Sequence, residues 1–244
     1  MKRNEGSKFT FRLAVSLFVT AIFFVTALPA MAKEDLKLQI KEDLKPQILV
    51  DQALVTLNDF VSEKDMEWFK NNLKDSKGIL IIPQLLKAGF IFGGSGGRAV
   101  VLIRDPKTGQ WSQPGFYSVG SVSFGLQIGA ESAAVIMQVR TQRGLESLYG
   151  TSFKLGGDCS VAAGPVGIGV SGKGVTGDLI SFSRAQGAYA GISFDGSMIK
   201  VNEGFDKDYY GKPVRPVDIF VKKDVSNQGS EDLRNALEKA EKEK

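Results

Sequence analysis

The 244 residues are 43% hydrophobic and 24% charged, with 28 glycines against eight prolines, which supports one packed core and excludes a disordered or low-complexity chain. Four of the 31 basic residues and one of the 27 acidic residues fall in the first 32 positions, so the remainder carries a net charge of about +1. That is far from the cationic field needed to hold a phosphate backbone, and nucleic acid is excluded as a partner.

The chain opens with Lys2, Arg3, Lys8 and Arg12, followed by an uncharged run from Leu13 to Ala32 that ends in Ala30-Met31-Ala32. This is the charge, apolar run and small-x-small order of a secretory signal, so residues 1–32 are expected to be cleaved before Lys33 and the mature chain to be exported to the periplasm or beyond the cell. An uncleaved anchor is the alternative, since the run is long enough to cross a bilayer. Residues 33–40 (KEDLKLQI) are repeated almost unchanged as 41–48 (KEDLKPQI). Residues 33–47 are thus set apart as a charged duplicated segment, ahead of a domain over 48–223 and a polar C-terminal helix over 224–244.

Val50, Ala53, Leu54, Leu57 and Val61 share one helical face, with Pro46 suited to the first turn. Ser62 and Asp65 resemble a capping box opening a second helix, whose Met66, Phe69 and Leu73 share a face. Beyond Gly78 the pattern becomes β. Ile79 to Ile82 is a short strand closed by Pro83, and a glycine run at 93–97 leads into a strand over Ala99 to Ile103. Turn chemistry at 105–109 precedes a return strand around Trp111. Val122, Phe124, Leu126 and Ile128 alternate with Ser123, Gly125, Gln127 and Gly129, a strand whose second face lets another backbone or a ligand come close.

Ala133 to Val139 reads as a buried strand, 143–149 as a short helix ended by Gly150, and Val166 to Val170 as another glycine-alternating strand. A final β block runs from Leu179 to Val201 with Asp195-Gly196 as its hairpin turn. Residues 205–216 read as loop, Ile219 to Val221 as a last strand, and Ser230 as the cap of a helix burying Leu233, Leu237 and Ala240. The expected fold is α+β: a helical hairpin on a twisted, mainly antiparallel, barrel-like sheet, with a C-terminal helix outside.

With no histidine and Cys159 as the single cysteine, imidazole zinc sites, Ser-His-Asp and Cys-His nucleophiles and an internal disulfide are all excluded. No carboxylate pair or Ser-Lys pair stands in for them, and the reading is a non-catalytic binding protein without metal or cofactor. Two phosphate-loop patterns fail on context. Gly94-Ser95-Gly96-Gly97-Arg98-Ala99 is followed by a strand signal where the dinucleotide fingerprint needs a helix, and Gly167 to Lys173 has Gly174 where Ser or Thr should hold magnesium. A basic stripe of Lys70, Lys74 and Lys77 beside Trp68 and Phe69 could meet anionic headgroups. The alternative is a solvated helix face, with Glu67 and Asp75 nearby.

Three blocks, KGILIIPQLLKAGFIFGGSGGRAVVL from Lys77, SVGSVSFGLQIGAE from Ser118 and GDLISFSRAQGAYAGISFDGSMI from Gly177, with Tyr209-Tyr210-Gly211 after them, resemble the SYLF family. The resemblance runs from about residue 48 to 221 and implies phosphoinositide or other acidic-phospholipid binding at a membrane surface. It makes Lys70, Lys74, Lys77, Lys87 and Arg98 the candidate contacts, with Trp68 and Phe69 as aromatic partners. Lys33 to Lys45 alternates Lys with Glu and Asp and lacks the basic face this family uses at its front. Actin, bound by the fungal members, is not expected to meet an exported chain, and an envelope protein partner without lipid is the alternative function.

Overall fold

The structure, a computed structural model, describes residues 45–89, 92–124, 129–170, 174–185, 187–191 and 194–242. The expected signal over 1–32 and the duplicated segment as far as residue 44 lie outside the described residues, as do Leu126 and Ile128 of the alternating strand. Residues from Lys45 onward form one compact unit.

Helix α1 (Pro46–Ser62) has proline in its first turn and buries Val50, Ala53 and Leu57 of the predicted face together with Leu49 and Phe60, while the predicted Leu54 and Val61 are only half-buried. The expected capping box does not form. The Ser62 hydroxyl donates to the Asp59 carbonyl (3.0 Å) and closes α1, while Glu63 accepts the Lys64 N–H (3.0 Å). A 3₁₀ turn over Lys64–Met66 intervenes, and the second helix, α2 (Glu67–Asn71), starts only then. The hairpin's second arm is therefore short, yet Met66, Phe69 and Leu73 are buried as a set.

Among the described residues nine strands follow: β1 (Gly78–Gly89), β2 (Phe92–Ile103), β3 (Gly115–Phe124), β4 (Gly129–Val139), β5 (Ser152–Lys154), β6 (Val161–Ala163), β7 (Leu179–Ala185), β8 (Ala188–Gly191) and β9 (Met198–Val201). They form a curled half-barrel in the order β5-β9-β3-β2-β1-β4-β7-β6, with β8 also on β7. Every pairing is antiparallel except β6 with β7. Strand β1 does not stop at Pro83. Its register shifts between Ile82 and Leu85, so proline, lacking an N–H, sits in a bulge where the ladder is already broken. Opposite the bulge, a Cβ on Gly97 would lie 2.7 Å from the Gln84 carbonyl oxygen, so the glycine run is part of β2 and not a connection into it. The return strand expected around Trp111 shrinks to one bridge with Arg104, and regular pairing begins at Gly115.

The inner half of the sheet is buried on both faces. Leu80, Ile82, Val101, Tyr117, Val135, Met137 and Ile199 pack on one side with Leu148, Phe153 and Phe220. Ile79, Ile81, Val100, Phe116, Ile136 and Phe182 pack on the other beneath α1, α2 and the C-terminal helix α6 (Glu231–Lys242). Between β4 and α6 in the chain come α3 (Gln142–Ser147), capped by the Thr141 hydroxyl on the Gly144 N–H (3.1 Å), and two helices where loop and strand were expected. Residues 205–216 hold most of α4 (Glu203–Tyr210), capped by Asn202 and ended by Gly211 at φ +70°. Ile219 and Phe220 belong to α5 (Pro216–Phe220), whose Asp218 carboxylate accepts the Arg215 N–H (3.0 Å). These helices are too short to display a full 3.6-residue stripe, so their caps carried the only signal.

Two more expectations change. The segment Val166 to Val170 is not a strand: Gly167 and Gly169 take φ +127° and +69°, and a turn results. Asp195-Gly196 does turn the chain, but its flanking strands part company, β8 pairing with β7 and β9 with β3 and β5. The terminal helix buries Leu233, Leu237 and Ala240 as predicted, but the Ser230 hydroxyl expected to cap it is bonded to Gln113 Oε1 and the Asn227 carbonyl (3.0 Å each). It is locked by Glu241, which accepts from Trp111 Nε1 (2.8 Å) and Arg104 Nη2 (3.2 Å).

Candidate functional site

The short helix α2 is fixed from beneath. The buried Gln138 amide of β4 donates to the Phe69 carbonyl (2.9 Å), and Arg140 Nη1 donates to the Asn72 carbonyl (2.9 Å). Phe69 points inward against Phe60 and Phe182 and is fully buried. The aromatic role expected for it at a surface therefore falls to Trp68, which is half-buried, lies 5.9 Å from the Phe182 ring, and carries the Arg140 guanidinium 5.8 Å from its own centroid. Of the lysines near it in sequence, Lys64 and Lys74 are exposed and Lys70 and Lys77 half-buried. None of these lysines is in an ion pair among the described residues.

The turn over 164–170 is stitched to this helix. Gly167 N–H donates to the Asp65 carbonyl (2.8 Å) and Gly169 N–H to the Glu67 carboxylate (3.0 Å). Glu67, an acid within the lysine stripe, is one anchor of the turn, which presents Ile168 (70% exposed) and Val170 (43%) beside it. Sequence reasoning missed both residues, because Gly-Ile-Gly-Val mimics strand alternation. The positive φ of the flanking glycines is what turns them outward. The segment and its turn thus bring lysines, an indole and two exposed aliphatic side chains into one part of the chain's surface.

Lys87 and Arg98 are elsewhere. Lys77 and Lys87 are ten residues apart along β1, roughly 30 Å at strand rise. Lys87 is half-buried and in register with Ser95 and Glu131. Arg98 stacks 5.1 Å from the centroid of the buried Phe205 ring of α4. The five expected cations thus do not form one patch.

Cys159 is buried in the core, and burial pushes its thiol up to about 11, so it offers no nucleophile near neutral pH. The buried acid of α4, Asp206, is raised to about 7 by burial, opposed by the Phe116 N–H that its Oδ1 accepts (3.0 Å). It faces the core beside Phe116 and has no nucleophile or base within its hydrogen bonds, so its chemistry is that of a structural group.

A family described as "Las17-binding protein actin regulator", Ysc84, matches residues 120–240. SH3 domain-containing YSC84-like protein 1 of Homo sapiens is 28% identical over 167 residues, which are 67% of this chain and 48% of that protein. LAS seventeen-binding protein 3 of Saccharomyces cerevisiae is 35% identical over 147 residues, and Protein YSC84 of the same yeast is 32% identical over 146. Each covers 57% of this chain and 31% of the yeast protein. The chain therefore spans about half the human relative it matches and about a third of the yeast ones.

Proposed function

Because the chain belongs to the Ysc84 (SYLF) family, we propose that it is a non-catalytic lipid-binding domain that engages anionic phospholipid, acting at the cell envelope after export. The observation that carries this reading is the segment from Lys64 to Lys77, in which Lys64, Lys70, Lys74 and Lys77 accompany half-buried Trp68, with exposed Ile168 and Val170 on the turn bonded to its Asp65 and Glu67. Lysines contribute headgroup attraction of about 1 kcal/mol each near an anionic surface, and the apolar side chains enter the interface. Export rests on the N-terminal sequence pattern, and mass spectrometry of the mature chain beginning at Lys33 is the expected result.

Co-sedimentation with vesicles tests the reading. Bound fraction should rise with anionic lipid and fall with salt, and K70A/K74A/K77A should weaken binding by roughly 100-fold at low ionic strength. Equal binding to neutral vesicles would sink it. A second reading, a protein-interaction domain, is favoured by the family's description as a Las17-binding protein actin regulator and by its relative LAS seventeen-binding protein 3. In that case the triple variant keeps its partner in a pull-down while vesicle binding stays weak throughout.

A further inference from the structure

Strands β1 to β4 outrun both layers that cover them. Successive rows across the sheet show the change on the helix-covered face. The row Phe116, Val100, Ile81 and Ile136 is fully buried. Next come Ser118 and Arg98, then Gly120, Gly96, Leu86 and Ser132, then Val122, Gly94 and Ala88. In these outer rows Leu86 is 54% and Val122 77% exposed, and a Cβ on Gly96 would meet nothing within 4 Å. The opposite face of the same strands is polar. Ser121, Ser95, Lys87 and Glu131 form one row there, and the two serine hydroxyls are bonded to each other at 2.7 Å.

The outer ribbon is therefore amphipathic across its thickness. One face is uncharged outside Arg98 and carries two large aliphatic side chains, while the other holds hydroxyls, a cation and an anion. Strand β3 (residues 115–124) contributes no charge at all, and residues 88–97 contribute none either. A water-facing ribbon has no reason to sort its side chains this way, whereas an element lying at a bilayer interface does. Among the described residues, β3 beyond β9 and β4 beyond β7 have no strand partner on that edge, and this sets the depth: such N–H and C=O groups stay hydrated among headgroups and cannot enter hydrocarbon.

We propose that this outer face, with Leu86 and Val122 as its apolar contacts and Arg98 at its inner boundary, is a second membrane-docking surface that seats on the bilayer interface. The inference rests on lipid being the ligand class but uses residues separate from the α2 lysines. Apolar burial makes its contribution insensitive to salt, unlike that of the lysines.

The test uses the full chain carrying Val122→Cys, labelled with a polarity-sensitive fluorophore; the buried native thiol does not compete. Mixed with anionic phosphatidylglycerol-containing vesicles, the probe should shift to the blue and be quenched by lipid-borne quenchers, whereas a probe at Val55→Cys on α1, also exposed, should not respond. L86D/V122D should lower vesicle affinity at high salt at least tenfold, from the loss of two buried aliphatic contacts, with an unchanged melting temperature. Gly96→Val should bind as tightly or more so, since a bilayer tolerates an added apolar group. If vesicles bind while the Val122 probe stays in water, the ribbon proposal falls and the α2 reading survives. Absence of any vesicle binding sinks both. A probe shift that needs no lipid and grows with protein concentration would assign the face to a second copy, and loss of binding in Gly96→Val would assign it to a ligand that needs the bare glycine floor. Either result overturns the proposal.

Discussion

Asp206 shows how one buried carboxyl makes the fold pH-sensitive. It is 1% exposed, with Oδ1 on the Phe116 N–H and Oδ2 without a hydrogen-bond partner among the described residues, and burial lifts its pKa from 3.8 to about 7. The folded state thus holds a proton that the unfolded state releases between about pH 4 and 7, so the stabilisation is complete below the unfolded value and is lost as pH rises through the folded one. The full effect is on the order of 4 kcal/mol. Thermal midpoints should fall from about pH 5.5 to 8.5, and Asp206→Asn, which keeps an oxygen for Phe116, should flatten that slope. A wild-type profile already flat across the range would show the carboxylate to be accommodated some other way. At Gly164 the constraint is spatial: a Cβ would lie 2.1 Å from the ring of fully buried Phe182. Gly164→Ala should cost about 1–3 kcal/mol in denaturant unfolding.

Among the elements, α6 looks dispensable by composition and is not. Its Leu237 is fully buried against the α1 layer, so Leu237→Ala should lower stability by about 2–5 kcal/mol, and urea titration would read it. A loss under about 1 kcal/mol would mean that the helix frays without consequence. This helix was legible in the sequence because twelve residues are long enough to show a stripe, as were α1 and the buried strand β4. What stayed hidden was local. Ser62 favoured its own helix over the next one, and the Pro83 stop became a bulge because Gly97 left room for it. The glycines around Ile168 chose positive φ, which no alternation pattern reports. The candidate surface was half legible for the same reason. Its lysines and Trp68 were visible as a helical spacing, but Phe69 turned inward and the aliphatic partners came from a turn about 100 residues away in sequence.

For the whole molecule, the unit from Lys45 onward contains both cores. A chain starting at Lys45 should therefore fold cooperatively, with a melting temperature and circular dichroism matching those of a chain starting at Lys33. Hydrogen exchange should grade along single strands: amides near Leu80, Val101 and Met137 should open only with global unfolding, and those near Leu86 and Gly96 far sooner.

Four strands gripped between two cores at one end and bare at the other behave as a cantilever. A load placed on the free end is not absorbed by a hinge, since the same backbones run without interruption into the grip. Whatever seats there would set the tilt of the entire body, and with it the direction in which the helices and the cationic cluster face.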